Sequence, residues 1–336
     1  MYRKLSQRRL ARQAVALSVV LAVAVIVAAC GGSSATPSSS PTSSATSAAS
    51  PSPSSTTIAG ATITEDPALH ALLPSAITSA GLVRVATDIP YPPFEMYTAP
   101  GSGQPTGFDY DLSQALGAKL GIPFKFEQIV FDSIIPALQA GKADIVMAAM
   151  VDNTTREKVL DFVDYAKVTS VMVVAKGNPA HITSLDSLAG KTAAAQTGTI
   201  QAGMLQTLKS QLAAAGKPAL TVLTFPKDSD ALLAVKSGKA VCDLVQLPTA
   251  VSDVKAQPGS FEIAVDPANP NGYNPSTLGI GMVKANTQLR DAIAKALQAL
   301  INEGAYTKLL DKYGLTKAAV TKVEINLGTV PVNLGG

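Results

Sequence analysis

Arg156 is the first residue whose type and place suggest chemistry. It stands in Asp152-Asn153-Thr154-Thr155-Arg156-Glu157-Lys158-Val159-Leu160, which reads as a capped helix start. The first turn of a helix is already electropositive, so a cation there is disfavoured. An anion sharing the place with free backbone N–H groups would relieve that. A solvated Arg paired with Glu157 or Asp161 is the plainer alternative. A second N–H cluster is expected at Gln196-Thr197-Gly198-Thr199, where a strand gives way to a helix. Gly198 lets backbone and ligand approach closely, although an ordinary Thr cap would use the same residues. Two such places on two lobes point to a cleft that closes on a carboxylate.

Other chemistries lack their residues. The chain has no GxxxxGKS/T loop, no GxGxxG and no HExxH, and its only two His, His70 and His181, fall in expected loops. A nucleophilic triad, a zinc site and a His-based acid–base pair are all disfavoured. No cofactor and no metal is expected. Without a basic, aromatic-interleaved stretch, no nucleic-acid partner is expected either.

The elements that must position these residues alternate. Residues 82–87 read as a strand. Residues 111–120 read as a helix, with Leu112, Ala115, Leu116 and Leu120 on one face and Gly121 as its stop. A strand at 124–129, a short helix capped by Asp132 and stopped by Gly141, and a strand at 144–147 follow. A second series runs helix 185–188, strand 192–195, helix 200–212, strand 221–225, helix 230–236 and strand 241–247. The helix at 288–303 has Leu289, Ile293, Leu297, Leu300 and Ile301 on one stripe, and a shorter one at 306–313 ends at Gly314. Alternating βα units imply parallel strands flanked by helices. The count fits two α/β lobes better than one long sheet.

Upstream the composition changes. Arg3, Lys4, Arg8, Arg9 and Arg12 precede an uncharged apolar run, residues 14–29. This is the layout of an export signal, too short for the roughly 20 residues of a spanning helix. The run ends in Val27-Ala28-Ala29-Cys30-Gly31-Gly32, which looks like a lipobox. Cys30 would then carry acyl chains that hold the protein on a membrane face. A buried structural Cys is the alternative. Residues 31–57 are wholly Gly, Ser, Ala, Thr and Pro and read as a flexible tether. Cys242 has no partner left for an intramolecular disulfide and reads as a small buried hydrophobe. The formal net charge is +3, but the leader holds five of the 27 basic residues and none of the 24 acidic ones; without it the balance is −2.

Several short motifs recur in one order: Tyr91-Pro92-Pro93-Phe94-Glu95; Gly107-Phe108-Asp109-Tyr110-Asp111-Leu112; Arg156 with Asp161-Phe162-Val163-Asp164-Tyr165; Gly190-Lys191; Gly198-Thr199; Gly304-Ala305-Tyr306; and Lys312-Tyr313-Gly314. Together they resemble family 3 of the bacterial extracellular solute-binding proteins, the polar amino-acid receptors of ABC importers. The resemblance covers residues 80–326 and implies a two-lobe periplasmic-binding-protein fold of type II. Hinge crossings are then expected near 167–173 and 272–279. The implied organisation is a lipoprotein signal peptide at 1–29 and a tether at 30–79. Lobe 1 takes 80–170 and 276–326, lobe 2 takes 171–275, and a C-terminal tail covers 327–336.

The resemblance also assigns roles. Arg156 matches the bidentate partner of a ligand carboxylate, and Thr199 the lobe-2 backbone donor to it. Tyr91 and Phe131 match the aromatic walls of the side-chain pocket, with Asp88 a polar residue on that wall. Ala149 matches the carbonyl that accepts from the ligand ammonium. Two positions depart from the pattern. Val151 stands where the family has Ser or Thr, and Gln246 where it has an Asp, both of which normally hold the ammonium. Asp243 is a candidate substitute, but an odd step of three residues points it to the other strand face. The implied activity is a monomeric receptor for an amino acid or related carboxylate, serving an ABC permease and its ATPase. A dehydratase on the same fold, with Asp88 or Glu95 as its acid, and a sensor for a membrane signalling protein are the alternatives.

Overall fold

The structure is a computed structural model and describes residues 53–330. Its first elements lie inside the expected tether. Ser55–Ile58 (β1) and Ala61–Thr64 (β2) pair as an antiparallel hairpin, and Pro67–His70 (α1) and Ser75–Ala80 (α2) follow. The expectation of a flexible tether over 30–79 is therefore corrected from residue 55 onward. Alternation provides the reason: Ala61 and Ile63 are buried while Thr62 and Thr64 face out. β-Branched Thr and Ile also favour the extended chain. Asp66 then caps α1 by accepting from the Ala68 and Leu69 N–H groups.

The expected alternation begins at Val83–Thr87 (β3). A small ribbon, Met96–Tyr97 (β4) with Pro105–Thr106 (β5), leads into Phe108–Leu120 (α3). α3 starts three residues before the expected Asp111. Phe108 is itself fully buried, and Gly107, at φ 123°, turns the chain into the helix. A Cβ on Gly107 would lie 2.2 Å from the Phe94 carbonyl oxygen. Phe124–Gln128 (β6), Ile134–Gln139 (α4) and Ile145–Val146 (β7) complete this unit, and β3 pairs in parallel with both strands. Asp132 does not cap α4; it lies in a 3₁₀ turn, Phe131–Ser133, that leads into it.

The chain next runs through Leu160–Ala175 (β8), a strand of 16 residues. The second lobe follows: Thr192–Gln196 (β9), Ile200–Ala214 (α5), Thr221–Phe225 (β10), Asp228–Lys236 (α6), Cys242–Gln246 (β11), Leu247–Ala256 (α7) and Phe261–Ala264 (β12). β9 pairs in parallel with β10 and β11. α7 and β12 are absent from the sequence reading. Leu247 reads as the end of a strand, whereas Pro248 opens the helix in its first turn. Tyr273–Val283 (β13) returns to the first lobe, which Thr287–Asn302 (α8) and Ala305–Tyr313 (α9) complete.

β8 and β13 join the lobes, and the expected crossings at 167–173 and 272–279 fall within them. The first half of β8 pairs antiparallel with β13, from Leu160↔Val283 to Val168↔Ser276. Its second half pairs with β11 and β12. The strand order β10-β9-β11-β8-β13-β7-β3-β6 is continuous, so the lobes share one hydrogen-bonded sheet. The two hinge strands make it continuous, because β8 is long enough to serve both lobes. The α8 stripe is buried at Leu289, Ile293, Leu297 and Leu300, as its spacing predicts, while Ile301 is only partly covered. α5 buries Met204, Leu205, Leu208 and Leu212 in a second core, together with Cys242, which is a free thiol. After a 3₁₀ turn at Thr316–Ala318 the chain runs back along β8. Ile325 bridges Val163, and Thr329 bridges Asn153, so the part of the expected tail at 327–330 is tied down.

Candidate functional site

Arg156 sits in a 3₁₀ turn, Arg156–Lys158, rather than at the head of an α-helix. A three-residue turn carries little macrodipole, so that part of the sequence argument is corrected. What presents Arg156 is Asn153, whose Oδ1 accepts from the N–H groups of Thr155 at 3.0 Å and Arg156 at 2.9 Å. The guanidinium is buried beneath Phe131, 5.6 Å from the ring centroid. Burial lowers its pKa to about 10, against the opposing pull of the Asp152 carboxylate. Thr199 is the N-cap of α5, where its Oγ1 accepts from the Ala202 N–H at 3.2 Å. This is the second N–H cluster, on the other lobe.

All eight positions expected to meet a ligand, Asp88, Tyr91, Phe131, Ala149, Val151, Arg156, Thr199 and Gln246, line one cavity between the lobes. Its volume is only about 10 Å³, because the lobes bond directly across it. Arg156 Nη2 donates to the Gly198 carbonyl at 3.0 Å, while Nη1 donates to the Val151 carbonyl of its own lobe. Gln196 Nε2 donates to Asp88 Oδ2 at 2.9 Å. Gln246 Nε2 donates to the Ala149 carbonyl at 2.8 Å. Gly198, at φ 80°, also lets the lobes meet: a Cβ there would lie 2.9 Å from Asp132 Cβ.

Val151 contributes only its backbone to this pattern, and its side chain cannot accept a hydrogen bond. Gln246 occupies the acceptor that the sequence assigns to a ligand ammonium. Its Oε1 is buried and without a partner. Asp243 does not line the cavity. On β11 its neighbour of like parity, Val245, packs in the core of α6 and α7, as the odd step predicts. Asp243 is held there with both oxygens buried and unpartnered, near Asp228 and Asp253. Burial, then the neighbouring carboxylates, push it well up, and burial raises Asp253 to about 7.

The cavity includes residues that the sequence did not single out for binding. Ile200 and Gln201 come from the start of α5, beside Gln196 of the expected N–H cluster. Glu95 is the important addition. Read only as part of a motif, or as an acid in the enzyme alternative, it lines the cavity, buried and hydrogen-bonded to Asp109. Burial, then the charge of Asp109, hold its pKa well above the ordinary range. Asp109 supports the same wall: its Oδ2 accepts from the Ala149 N–H at 2.8 Å and the Tyr165 hydroxyl at 2.9 Å. The signal in the sequence was an acid following three residues of Pro and Phe. Asp88 is also raised by burial, although hydrogen bonds from the Phe131 N–H, Gln128 and Gln196 pull the other way. Cys30 lies outside the described residues.

Comparison with known proteins accords with this geometry. Residues 83–316 match the bacterial extracellular solute-binding proteins, family 3. The arginine-binding protein ArgT of Corynebacterium glutamicum is 26% identical over 77% of this chain and 83% of its own. The lysine/arginine/ornithine-binding periplasmic protein of Escherichia coli is 28% identical over 69% of this chain and 86% of its own. Among solved structures, the amino acid ABC transporter substrate-binding protein AbpA of Streptococcus pneumoniae bound to L-arginine superposes with a TM-score of 0.64. It is 27% identical, over 71% of this chain and 97% of that one.

Proposed function

We propose that this chain, which belongs to family 3 of the bacterial extracellular solute-binding proteins, captures a cationic amino acid of the arginine class for an ABC importer. The observation that carries this reading is the pairing of Arg156 with two buried acids, Asp88 and Glu95, on one cavity. A free amino acid brings one carboxylate, which Arg156 can grip with a planar fork. An arginine brings an ammonium and a guanidinium besides, which together suit two carboxyl groups. The names of the relatives point the same way, since ArgT and the Escherichia coli protein are named for arginine and for lysine, arginine and ornithine.

Binding on this reading exchanges partners. The ligand carboxylate takes the place of the Gly198 carbonyl on Arg156 and faces the N-terminus of α5. The ammonium displaces the Gln246 amide from the Ala149 carbonyl, and can also donate to Gln246 Oε1. Tyr91 and Phe131 flank the aliphatic stem, and Asp88 and Glu95 receive the positive charge. Because the cavity is so small, the lobes must part before a ligand enters, bending within β8 and β13. Closure then excludes water and strengthens each charged contact.

Titration calorimetry with L-arginine, L-glutamine and L-glutamate tests the ligand class. Arginine should bind tightest and glutamate least. Glu95→Gln should weaken arginine roughly tenfold, the worth of a charge-assisted bond, and leave glutamine nearly unchanged. Preference for glutamate would overturn the reading. The dehydratase alternative is tested beside it: no turnover of prephenate or arogenate by chromatography is expected, and turnover would overturn the binding reading. Lipid anchoring through Cys30 belongs to the same proposal. Among the described residues no helix is long and apolar enough to cross a membrane. Cys30→Ser should move the protein from the membrane pellet to the soluble fraction; retention in the pellet would overturn the anchor.

A further inference from the structure

The turn that presents Arg156 is held from behind by a segment that lies past the family match, which ends at residue 316. We propose that residues 324–329 form a strap that positions Arg156 for the ligand carboxylate; the proposal rests on the reading of the cleft given above. Its clamp is Asn326, whose φ is 60°. Its Oδ1 accepts from the Phe162 N–H at 2.8 Å, and its Nδ2 donates to Asp161 Oδ1 at 3.1 Å. Asp161 is itself fixed by Lys284 and Arg290, each at 2.8 Å. The strap is thus clamped to the start of β8 by these side chains and by backbone bonds, from the Asn326 N–H to the Phe162 carbonyl and from the Asp164 N–H to the Glu324 carbonyl.

From that clamp it reaches the Arg156 turn in two steps. The Gly328 N–H donates to Glu157 Oε1 at 2.8 Å, and the Thr154 N–H donates to the Thr329 carbonyl at 3.2 Å. Gly328 presses on the turn so closely that a Cβ there would lie 2.5 Å from Glu157 Oε1 and 2.7 Å from the Asn153 carbonyl carbon. Asn153 is the residue that caps the Arg156 N–H. A displacement at Gly328 is therefore passed through Asn153 to the backbone of Arg156, which carries the guanidinium. Arg156 must present both guanidinium nitrogens in one plane to a carboxylate, so a small rotation of the turn costs bidentate contact.

The test compares L-arginine with L-argininamide, in which a carboxamide replaces the carboxylate. Calorimetry is run on the full-length protein and on Asn326→Gly and Gly328→Ala. Glycine tolerates the positive φ at 326 while removing both side-chain bonds. Each variant should weaken L-arginine by roughly tenfold or more, as misplacement of a binding group does, and L-argininamide by less than about twofold. The preference for arginine over its amide then collapses. Equal weakening of both ligands would overturn the proposal, because a strap that only stabilises lobe 1 cannot tell them apart. Unchanged arginine binding in both variants would overturn it as well. A wild-type protein that takes neither arginine nor any other amino acid overturns the proposed function and this inference together. Wild-type binding with an intact preference in both variants overturns the strap alone.

Discussion

Arg156 and Glu95 line the same cavity but are held in opposite ways. Around Arg156 the donors are placed: Asn153 caps its turn, and its guanidinium meets the carbonyls of Val151 and Gly198. Around Glu95 the acceptors are in excess. Glu95 and Asp109 share one hydrogen bond between two carboxyl groups, and Gln246 Oε1 is buried without a partner. A buried acceptor that lacks a donor costs stability. The carboxylate side of the cleft is thus satisfied as it stands, while the other side is short of hydrogen-bond donors. On the reading proposed above, a cationic ligand would supply what that side lacks.

The largest effect should come from the satisfied side. Arg156→Ala removes the charged fork and should weaken arginine binding by about 3 kcal/mol, roughly 100-fold, with a far smaller change in the unfolding midpoint. Calorimetry beside a thermal melt checks this, and an affinity within threefold of wild type would break the comparison at its stronger end. Gln246→Asp acts on the other side in the opposite direction. It frees the Ala149 carbonyl and adds a charge, so it should tighten L-arginine by about 1.5–3 kcal/mol. Weaker binding in that variant would show that the ligand ammonium does not lie there.

The smallest effect on affinity is a pH dependence. Asp109 is raised to about 6 by burial, and Asp253 in lobe 2 to about 7. A carboxyl raised in the folded state contributes stability below its unfolded pKa and loses it as pH climbs through the folded value. The ligand-free protein should therefore have a lower melting midpoint at pH 7.5 than at pH 5. Arginine affinity should move the other way, since a cation favours ionised Glu95. The Glu95→Gln variant should flatten that rise; an affinity slope that survives it would locate the titrating group elsewhere.

The contrast between the two sides also marks what could be read from residues alone. The Arg156 and Gly198-Thr199 features were legible because short motifs carry them, and the hinge crossings followed from the same motif order. Asp243 was placed by strand parity. Glu95 was not recognised as a binding group, because its burial depends on packing against Asp109 across the core. The hairpin at 55–64 escaped because Ser and Thr also compose linkers, and only the Ala61 and Ile63 alternation favours a strand. The strap escaped for a related reason. It is fixed by Asn326, Glu157 and the backbone around Gly328, and such polar clamps leave no apolar periodicity. The 3₁₀ turn at Arg156 read as a helix because Asn153 caps either one.

The hairpin and the strap share one further property. The hairpin packs on α3 and α9, and the strap on β8 where it pairs within lobe 1, so both approaches of the described chain lead to lobe 1. Lobe 2 is reached only through the shared strands. A mechanical load applied from either direction is therefore borne by lobe 1, and lobe 2 swings without lifting it. The same wiring dictates how the motion can be watched. Two dyes, one on β1 and one on the strap, would keep a constant separation while the cleft opens and shuts. A reporter of closure needs one dye on lobe 2, for instance at Leu233, whose side chain is 58% exposed.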